Sequence, residues 1–403
     1  MACVCGKSVT RRHSSEPGGS LMRIIFLSTP VGPLGSGVGG GVELTMRTLA
    51  DGLMRRGHEV VVVAPRDSRL GTHRIVEVAG VLHVPSQTLD RTAPLVVPTD
   101  SVLVNMWNTV VELARSGQHD VVLNFAYDAL PFVNASECAI PVAHLVSMGS
   151  LSDEMDRAVA LAARSHAHAV AMHSRAQAAT FGPTAVERVT IVASGVDLSN
   201  YEFVAVPTDA LAFVARISPE SGVELSNYEF VAAPTDALAF VARISPEKGI
   251  RDAFAVAART RRRLRVFGVM EDRKEWDAAR AQNPHADVEH VGFLPTRELQ
   301  AQLGTCAALI MVHRWVEAFG NVAIEALACG VPVITYDRGG PAEIVRDGAT
   351  GFVVPADDVV AVAAAVERVD AIDRLRCRAD VRERFSAESF AARVEEWLVA
   401  RLA

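Results

Sequence analysis

The stretch VEAFGNVAIEALACGVPVITYDRGGPAEIVRDGATGFVVP, residues 316–355, contains the pattern of one helix and two strands. Small and apolar residues over 319–329 predict a packed helix, and the short apolar segments PVITY and GFVVP are typical of buried strands. The same alternation occurs in RIIFLS, helix 42–56 and EVVVVAP, and again in ALAFVAR, helix 249–261 and LRVFGV. Short strands that alternate with helices predict parallel sheets with helices on both faces.

The length of the chain and the restart of this alternation predict two α/β domains, each large enough to bury a core. We expect an extension over 1–21 that is disordered or wrongly included, a first domain over 22–197 and an interdomain connection over 198–236. A second domain over 237–385 follows, and then a final helix over 386–403 with Ser386 as its N-cap. The extension is polar and lacks the apolar centre of a secretory signal. Met22 is the expected start, because RIIFLSTP, the first predicted strand, follows it at once.

The interdomain connection contains most of a tandem repeat. Residues 194–220 recur almost unchanged as residues 221–247, and both copies end in VARISPE. A single pair this alike differs from the drifting repeats of solenoids and indicates a tandem duplication, or an artefact of the sequence. Lys248 follows the second copy, whereas the first copy runs into the uncharged Ser221. We expect the second copy to form the native strand and the first to be an insertion that packs poorly.

The charge and composition exclude several classes of protein. A net charge of −7 gives no global attraction for nucleic acid, and no apolar stretch is long enough to span a bilayer. The six cysteines are scattered, without the paired spacing of a zinc site. We therefore expect a cytoplasmic protein with no nucleic-acid partner, transmembrane segment or metal. The oligomeric state stays open.

The glycine-rich run GPLGSGVGGGVE, residues 32–43, precedes a predicted helix. It contains a formal G-x-G-x-x-G at Gly35, Gly37 and Gly40, but six residues separate it from the preceding strand, unlike a dinucleotide site. A dinucleotide site also needs an acidic residue at the end of its second strand, and Asp67 lies there. An NAD(P)-dependent oxidoreductase therefore stays an alternative. The favoured interpretation is a loop whose free amides bind phosphate at a helix start, and the plain alternative is a flexible connector.

Glu317 and Glu325 lie eight residues apart, with a helix start at FGN between them. Eight residues of helix rise about 12 Å, roughly the reach from a sugar ring across a diphosphate to a ribose. Carboxylates accept hydrogen bonds from sugar hydroxyls, and the amides and dipole of a helix N-terminus attract a diphosphate. Two glutamates at this spacing also occur on solvated helix faces, but the apolar NVAIEALACG around Glu325 favours a nucleotide-sugar site.

The stretch 316–355 resembles the retaining glycosyltransferases of the GT-B fold with an E-x7-E signature, those of the family 4 type. FVARISPEKG, residues 240–249, resembles that family's phosphate clamp, in which an arginine and a lysine five residues later grip the donor diphosphate. The resemblance extends from Met22 to the final helix. It implies two Rossmann-like domains facing across a cleft, with the acceptor in the first, the donor in the second and the final helix returning to the first.

The family pattern, matched position by position, implies a role for each of the following residues. Those implied to bind the diphosphate are Arg243, Lys248, Gly40, Gly41, Asn321 and Val322; Arg216 has no lysine at the clamp spacing. Those implied to contact the donor sugar are Glu317, Ala318, Phe319 and Gly320. Glu325 is implied at the ribose, and Phe293 and Leu294 at the base. The implied donor is a UDP-sugar, used as a substrate without cofactor or metal, because the two cations and the helix dipole can stabilise the leaving diphosphate.

The chain departs from the family where many members carry a histidine after the fourth strand. That region here reads LNFAYDALPF, residues 123–132. Asp128 is a candidate catalytic residue that orients or deprotonates the acceptor, and a loop-capping role is the alternative. His144 is a second acceptor candidate, with a buried core histidine as the alternative. A front-face retaining mechanism, in which the departing phosphate takes the acceptor proton, needs neither.

The segments STPVGPLGSGVGGGVELT and NFAYDALP are similar, more narrowly, to glucosyltransferases that glucosylate tetrahydrobiopterin from UDP-glucose. This similarity implies glucose as the hexose and a flat acceptor that stacks on Phe125, Tyr127 or Trp107. The leading prediction is a hexosyltransferase. Its rivals are the oxidoreductase, which predicts that NADH binds, and a catalytically inactive nucleotide-sugar-binding protein, which predicts donor binding without turnover.

Overall fold

The computed structural model describes residues 21–36, 41–84, 90–92, 97–201, 203 and 235–403. Within these ranges the chain forms two α/β domains, each built on one parallel sheet. The predicted fold class is confirmed. Gly40, Arg216 and Ser221 lie outside the described residues, as does the predicted extension apart from Leu21.

The first domain has a sheet of seven strands in the order β3-β2-β1-β4-β5-β6-β7. The strands are β1 Arg23–Leu27, β2 Glu59–Pro65, β3 Arg74–Val78, β4 Val121–Asn124, β5 Val142–Val146, β6 Val170–Met172 and β7 Thr190–Ile191. The helices are α1 Gly41–Arg55, α2 Val102–Arg115, α3 Ala129–Val133, α4 Asp153–Ser165, α5 Arg175–Thr180 and α6 Pro183–Arg188. The central strands are mostly apolar and almost entirely buried, because helices cover both faces of the sheet.

The second domain has a sheet of six strands in the order β10-β9-β8-β11-β12-β13. The strands are β8 Leu238–Val241, β9 Leu264–Phe267, β10 Val288–Gly292, β11 Ala308–Met311, β12 Val333–Tyr336 and β13 Gly351–Val354. The helices of this domain are α7 Ile250–Thr260, α8 Arg273–Gln282, α9 Thr296–Gly304, α10 Asn321–Ala328, α11 Gly340–Ile344, α12 Val359–Val366 and α13 Arg374–Arg384, and the final helix α14 Ala387–Leu402 follows them. None of the helices in the described ranges is long and apolar enough to cross a membrane.

The strand order reverses at one place in each sheet, between β1 and β4 in the first and between β8 and β11 in the second. At such a point the connections that follow the two neighbouring strands run on opposite faces of the sheet. This opens a crevice at the carboxyl ends of the strands. The loops after these four strands carry the glycine run, residues 125–128, residues 242–249 and residues 312–320. The topology therefore places the main predicted donor and acceptor segments at the two crevices.

The final helix returns to the first domain, as predicted. Its residues Phe390, Val394 and Trp397 are buried in the same core cluster as strands β1 and β2. Trp397 Nε1 donates a hydrogen bond to the His168 carbonyl oxygen at 2.7 Å. The predicted N-cap is confirmed, because the Ser386 hydroxyl accepts a hydrogen bond from a backbone amide of the first turn.

The described residues contain the beginning of one copy of the repeat and the end of the other. Strand β8 belongs to the second copy, as predicted. The expectation that the first copy packs poorly is wrong for its first residues, since Val196 and Tyr201 are buried in the core. The reason is that the two copies are nearly identical, so the sequence does not define where the insertion begins. If the inserted residues are 204–230 instead of 194–220, residues 194–203 belong to the native chain and keep their native environment.

Candidate active site

Two loops bring the predicted donor-binding lysine and glutamate together at the crevice of the second sheet. Lys248 ends the short 3-10 turn Pro246–Lys248 after β8, and Glu317 lies in the loop after β11. Lys248 Nζ is 2.6 Å from Glu317 Oε2. The loops approach closely because Gly249 has φ +79° and no side chain, and a Cβ there would lie 1.9 Å from the Val312 carbonyl oxygen.

Arg243 supplies the second cation of the predicted clamp, and its guanidinium is already paired. It contacts the carboxylate of Glu271, and its Nη2 lies 3.2 Å from Glu247 Oε1. The side chains of Glu271 and Glu247 are 45% and 31% exposed. Ion pairs this accessible to water contribute little free energy, so a diphosphate can displace them.

Helix α10 begins directly beside these charges. Gly320 precedes it with φ +94° and has no side chain to cap the first turn, which includes the amides of Asn321 and Val322. The start of α1 faces it from the first domain: a Cβ on Gly41 would lie 3.2 Å from Asn321 Nδ2, and that atom donates to Thr45 Oγ1 at 3.4 Å. Two helix N-termini therefore meet across the cleft, and both favour an anion between them.

The electrostatics of the site depend on the ion pair. Burial pushes the pKa of the Glu317 carboxyl upward, but Lys248, with smaller help from His313 and Trp315, holds that pKa below its ordinary value. Two buried polar atoms, His313 Nδ1 and Asn321 Oδ1, have no hydrogen-bond partner among the described residues. Such atoms cost free energy until water or a ligand satisfies them.

The turn 317–320 is held from both domains. The side chains of Ala318 and Phe319 are buried, so this turn can offer a ligand its backbone rather than these two side chains. From the first domain, the Ser174 hydroxyl donates a hydrogen bond to the Ala318 carbonyl oxygen. Glu343 accepts hydrogen bonds from the Arg175 and Ala176 amides at the start of α5, at 3.1 and 2.7 Å.

Glu325 lies one turn further along α10, and burial raises the pKa of its carboxyl to about 7. Phe293 and Leu294 follow β10; the Phe293 side chain is 69% exposed, and Leu294 packs against the core. A cavity of about 420 Å³ lies between α1, the turn near Asn200 and the start of α9, next to this loop. The ribose and base roles of these residues stay predictions.

The pKa of Glu325 predicts how stability depends on pH. Because the folded protein binds this proton more tightly than the unfolded chain, stability falls as pH rises from about 4.5 to about 7. We expect Glu325→Gln to lack this contribution, so that the wild-type protein loses about 2 kcal/mol relative to the variant between pH 5 and 8. Chemical unfolding of both proteins at the two pH values measures the difference, and parallel pH dependence would contradict the prediction.

Three of the predicted acceptor contacts are wrong, because their side chains are buried. Phe125 and Trp107 are each 3% exposed, and the Phe125 ring packs on Phe26 with 5.0 Å between centroids. His144 is 1% exposed and stacks on Phe132, and burial lowers its pKa to about 3. Because these side chains face the core, they offer no open face on which an acceptor ring could stack.

Asp128 has the capping role that was its alternative. Its Oδ1 accepts a hydrogen bond from the Leu130 amide at 3.2 Å, at the start of α3. Its Oδ2 lies 3.0 Å from His83 Nδ1, and His83 Nε2 lies 2.7 Å from the hydroxyl of Ser101. Ser101 is buried and caps α2, so this chain of contacts fastens the loop after β3. Tyr127, with its hydroxyl 2.9 Å from the Gly149 carbonyl oxygen, is half-buried.

Several residues of the site carried no motif. Trp315 contacts the nearby Glu317, but it belongs to no motif. Ser174 and Glu343 make contacts between segments far apart in sequence, which spacing cannot reveal. His83 reaches Asp128 in the same way. Gly339 is the exception: adjacent glycines followed by proline signal a special turn before a helix.

Two protein-family models match the chain, Glycosyltransferase Family 4 over residues 39–200 and Glycosyl transferases group 1 over residues 231–398. A D-inositol 3-phosphate glycosyltransferase of Mycobacterium sp. (strain KMS) is 45% identical over 73 residues, 18% of this chain and 17% of that protein. The glycogen synthase of Mycobacterium tuberculosis (strain H37Rv) is 32% identical over 200 residues, 47% of this chain and 41% of that protein. The chain thus spans less than half the length of these curated relatives.

Among solved structures, Anabaena HepE in complex with UDP and glucose has a similar fold. The TM-score is 0.67 at 20% sequence identity, over 94% of this chain and 100% of that one. The similarity covers both domains. The first domain is therefore similar to the Glycosyltransferase Family 4 model and the second to the Glycosyl transferases group 1 model, and the chain has the GT-B fold of two facing Rossmann-like domains.

Proposed function

We propose that the chain is a retaining glycosyltransferase that moves a hexose from a UDP-sugar to a hydroxyl of a small acceptor. The observation that carries the proposal is the ion pair of Lys248 and Glu317 beside the uncapped start of α10. A nucleotide sugar offers a diphosphate for the ammonium and the helix, and a ring hydroxyl for the carboxylate. HepE, with UDP and glucose bound, supports UDP-glucose as the donor.

In this proposal the charges of the site stabilise the departing diphosphate. Arg243 exchanges Glu271 for a phosphate oxygen, and Lys248 and the α10 amides bind the remaining negative charge. No metal is needed, because these groups already supply positive charge where it develops. Glu317 accepts a hydrogen bond from the sugar, and Glu325 accepts one from the ribose.

The acceptor proton has a simple route in a front-face mechanism. As the bond from the anomeric carbon to the phosphate oxygen breaks, the acceptor oxygen bonds to that carbon on the same face. The released phosphate oxygen takes the acceptor proton, so UDP and the glycoside are the balanced products. This route suits a site in which both Asp128 oxygens already accept hydrogen bonds.

A product analysis tests the function. We expect incubation with UDP-glucose and a panel of hydroxylated acceptors, reduced pterins included, to give UDP and one glucosylated product by mass spectrometry. Tetrahydrobiopterin is the acceptor we propose first, with Tyr127 as the remaining aromatic contact. Nuclear magnetic resonance of the new anomeric centre should show the donor configuration, and inversion would contradict a retaining mechanism.

Two further outcomes separate the rival functions. Enhanced NADH fluorescence on mixing, without UDP binding, would support the oxidoreductase instead. UDP-glucose binding without turnover for any acceptor would support an inactive binding protein.

We also propose a cytoplasmic location, because the four described cysteines are free thiols, as a reducing compartment favours.

A further inference from the structure

Trp315 contacts both charged groups of the donor site, although no motif indicated it. Its indole Nε1 donates a hydrogen bond to Glu317 Oε2 at 3.1 Å. Lys248 Nζ lies 4.4 Å from the centroid of the same indole, within cation–π distance. Lys248 Nζ also donates to Glu317 Oε2 at 2.6 Å. One half-buried tryptophan therefore contacts both members of the ion pair.

Donor binding must loosen this ion pair, because its members serve different parts of the donor. Lys248 has to face the diphosphate, and Glu317 has to face a sugar hydroxyl. Their side chains are only 16% and 21% exposed, so water can replace little of what each loses. A partly buried carboxylate without its cation tends to take up a proton or to turn away. A second hydrogen-bond donor that stays in place prevents both.

We propose that Trp315 is a positioning residue that keeps Glu317 and Lys248 aligned when a nucleotide sugar separates them. The indole N–H holds the carboxylate toward the sugar, and the ring face supports the ammonium under the diphosphate. This inference rests on the proposed function. The two contacts use different parts of one side chain, the N–H and the π face, so they can be removed separately.

Two substitutions make that separation. Trp315→Phe keeps an aromatic face and loses the N–H, whereas Trp315→Leu loses both. We expect Trp315→Phe to bind UDP within twofold of wild type and UDP-glucose about tenfold more weakly, the effect of one hydrogen bond to a charged group. We expect Trp315→Leu to bind UDP itself about two- to fivefold more weakly as well, the effect of a lost cation–π contact.

Calorimetric titration with UDP and with UDP-glucose measures these effects without an acceptor. Trp276→Phe is the matched control, since that indole packs on Phe254 in the same domain and should change neither affinity. Wild-type affinity for UDP-glucose in Trp315→Phe would overturn the role of the N–H, and equal UDP affinity in Trp315→Phe and Trp315→Leu would overturn that of the ring face. A wild-type protein that binds no UDP would instead refute the proposed function.

Discussion

Lys248→Ala is expected to lower kcat/KM for a UDP-sugar by about a thousandfold, the largest effect of any single substitution proposed for this chain. The ammonium is a charge already in place at the point where negative charge develops on the leaving diphosphate. Its removal also leaves the partly buried Glu317 carboxylate without its cation, so the pKa of Glu317 rises and its hydrogen bond to the sugar weakens. Steady-state kinetics and UDP titration measure the two losses.

The chain offers two matched controls for this substitution. Lys274→Ala removes an exposed lysine on α8, in the same domain, and should leave kcat/KM within twofold. Arg216→Ala alters the first copy of the repeat and should do equally little, whereas Arg243→Ala, at the matching position of the second copy, should lose most of the activity. Comparable losses of kcat/KM in Arg216→Ala and Arg243→Ala would contradict the assignment of the donor-binding arginine to the second copy of the repeat.

The fold and the placement of the donor residues could be predicted because their determinants are local in sequence. The alternation of short apolar strands with helices gave the two sheets, and the strand order then fixes where each crevice lies. Lys248 lies in the loop after β8 and Glu317 in the loop after β11, and these strands are neighbours. Loops after neighbouring parallel strands lie at the same edge of the sheet, so the topology explains why these two residues are close enough to pair. Their catalytic roles stay predictions.

The acceptor side could not be predicted in the same way. Phe125 and His144 lie at or beside strands in which every residue is apolar or buried, so alternation gives no sign of which way a side chain points. The hydrogen bonds of Ser174 with Ala318 and of His83 with Asp128 join segments that the chain order separates widely. Contacts of this kind depend on how the elements pack, and only the structure reveals them.

Gly339→Ala is expected to lower kcat/KM by about a hundredfold, although this residue carries no functional group. Gly339 has φ +75° and ψ −168°, a conformation that other residues adopt only with strain. A Cβ there would lie 2.6 Å from the Glu317 carbonyl oxygen and 2.7 Å from its amide nitrogen. Since both atoms are backbone, the turn that carries Glu317 has to shift. Displacements of about 1 Å in a site cost roughly this much in rate.

Gly348→Ala separates that shift from backbone strain alone. Gly348 also has a positive φ, +70°, but among the described residues no heavy atom beyond its two chain neighbours lies within 4 Å of the Cβ it would gain. Both variants should lose about 1–3 kcal/mol of stability from strain, measured by chemical unfolding. Only Gly339→Ala should lose activity, because only there does the new methyl group meet the donor turn. If both variants kept wild-type kcat/KM, the position of the Glu317 backbone would not control catalysis, and the role given to its carboxylate would lose its geometric basis.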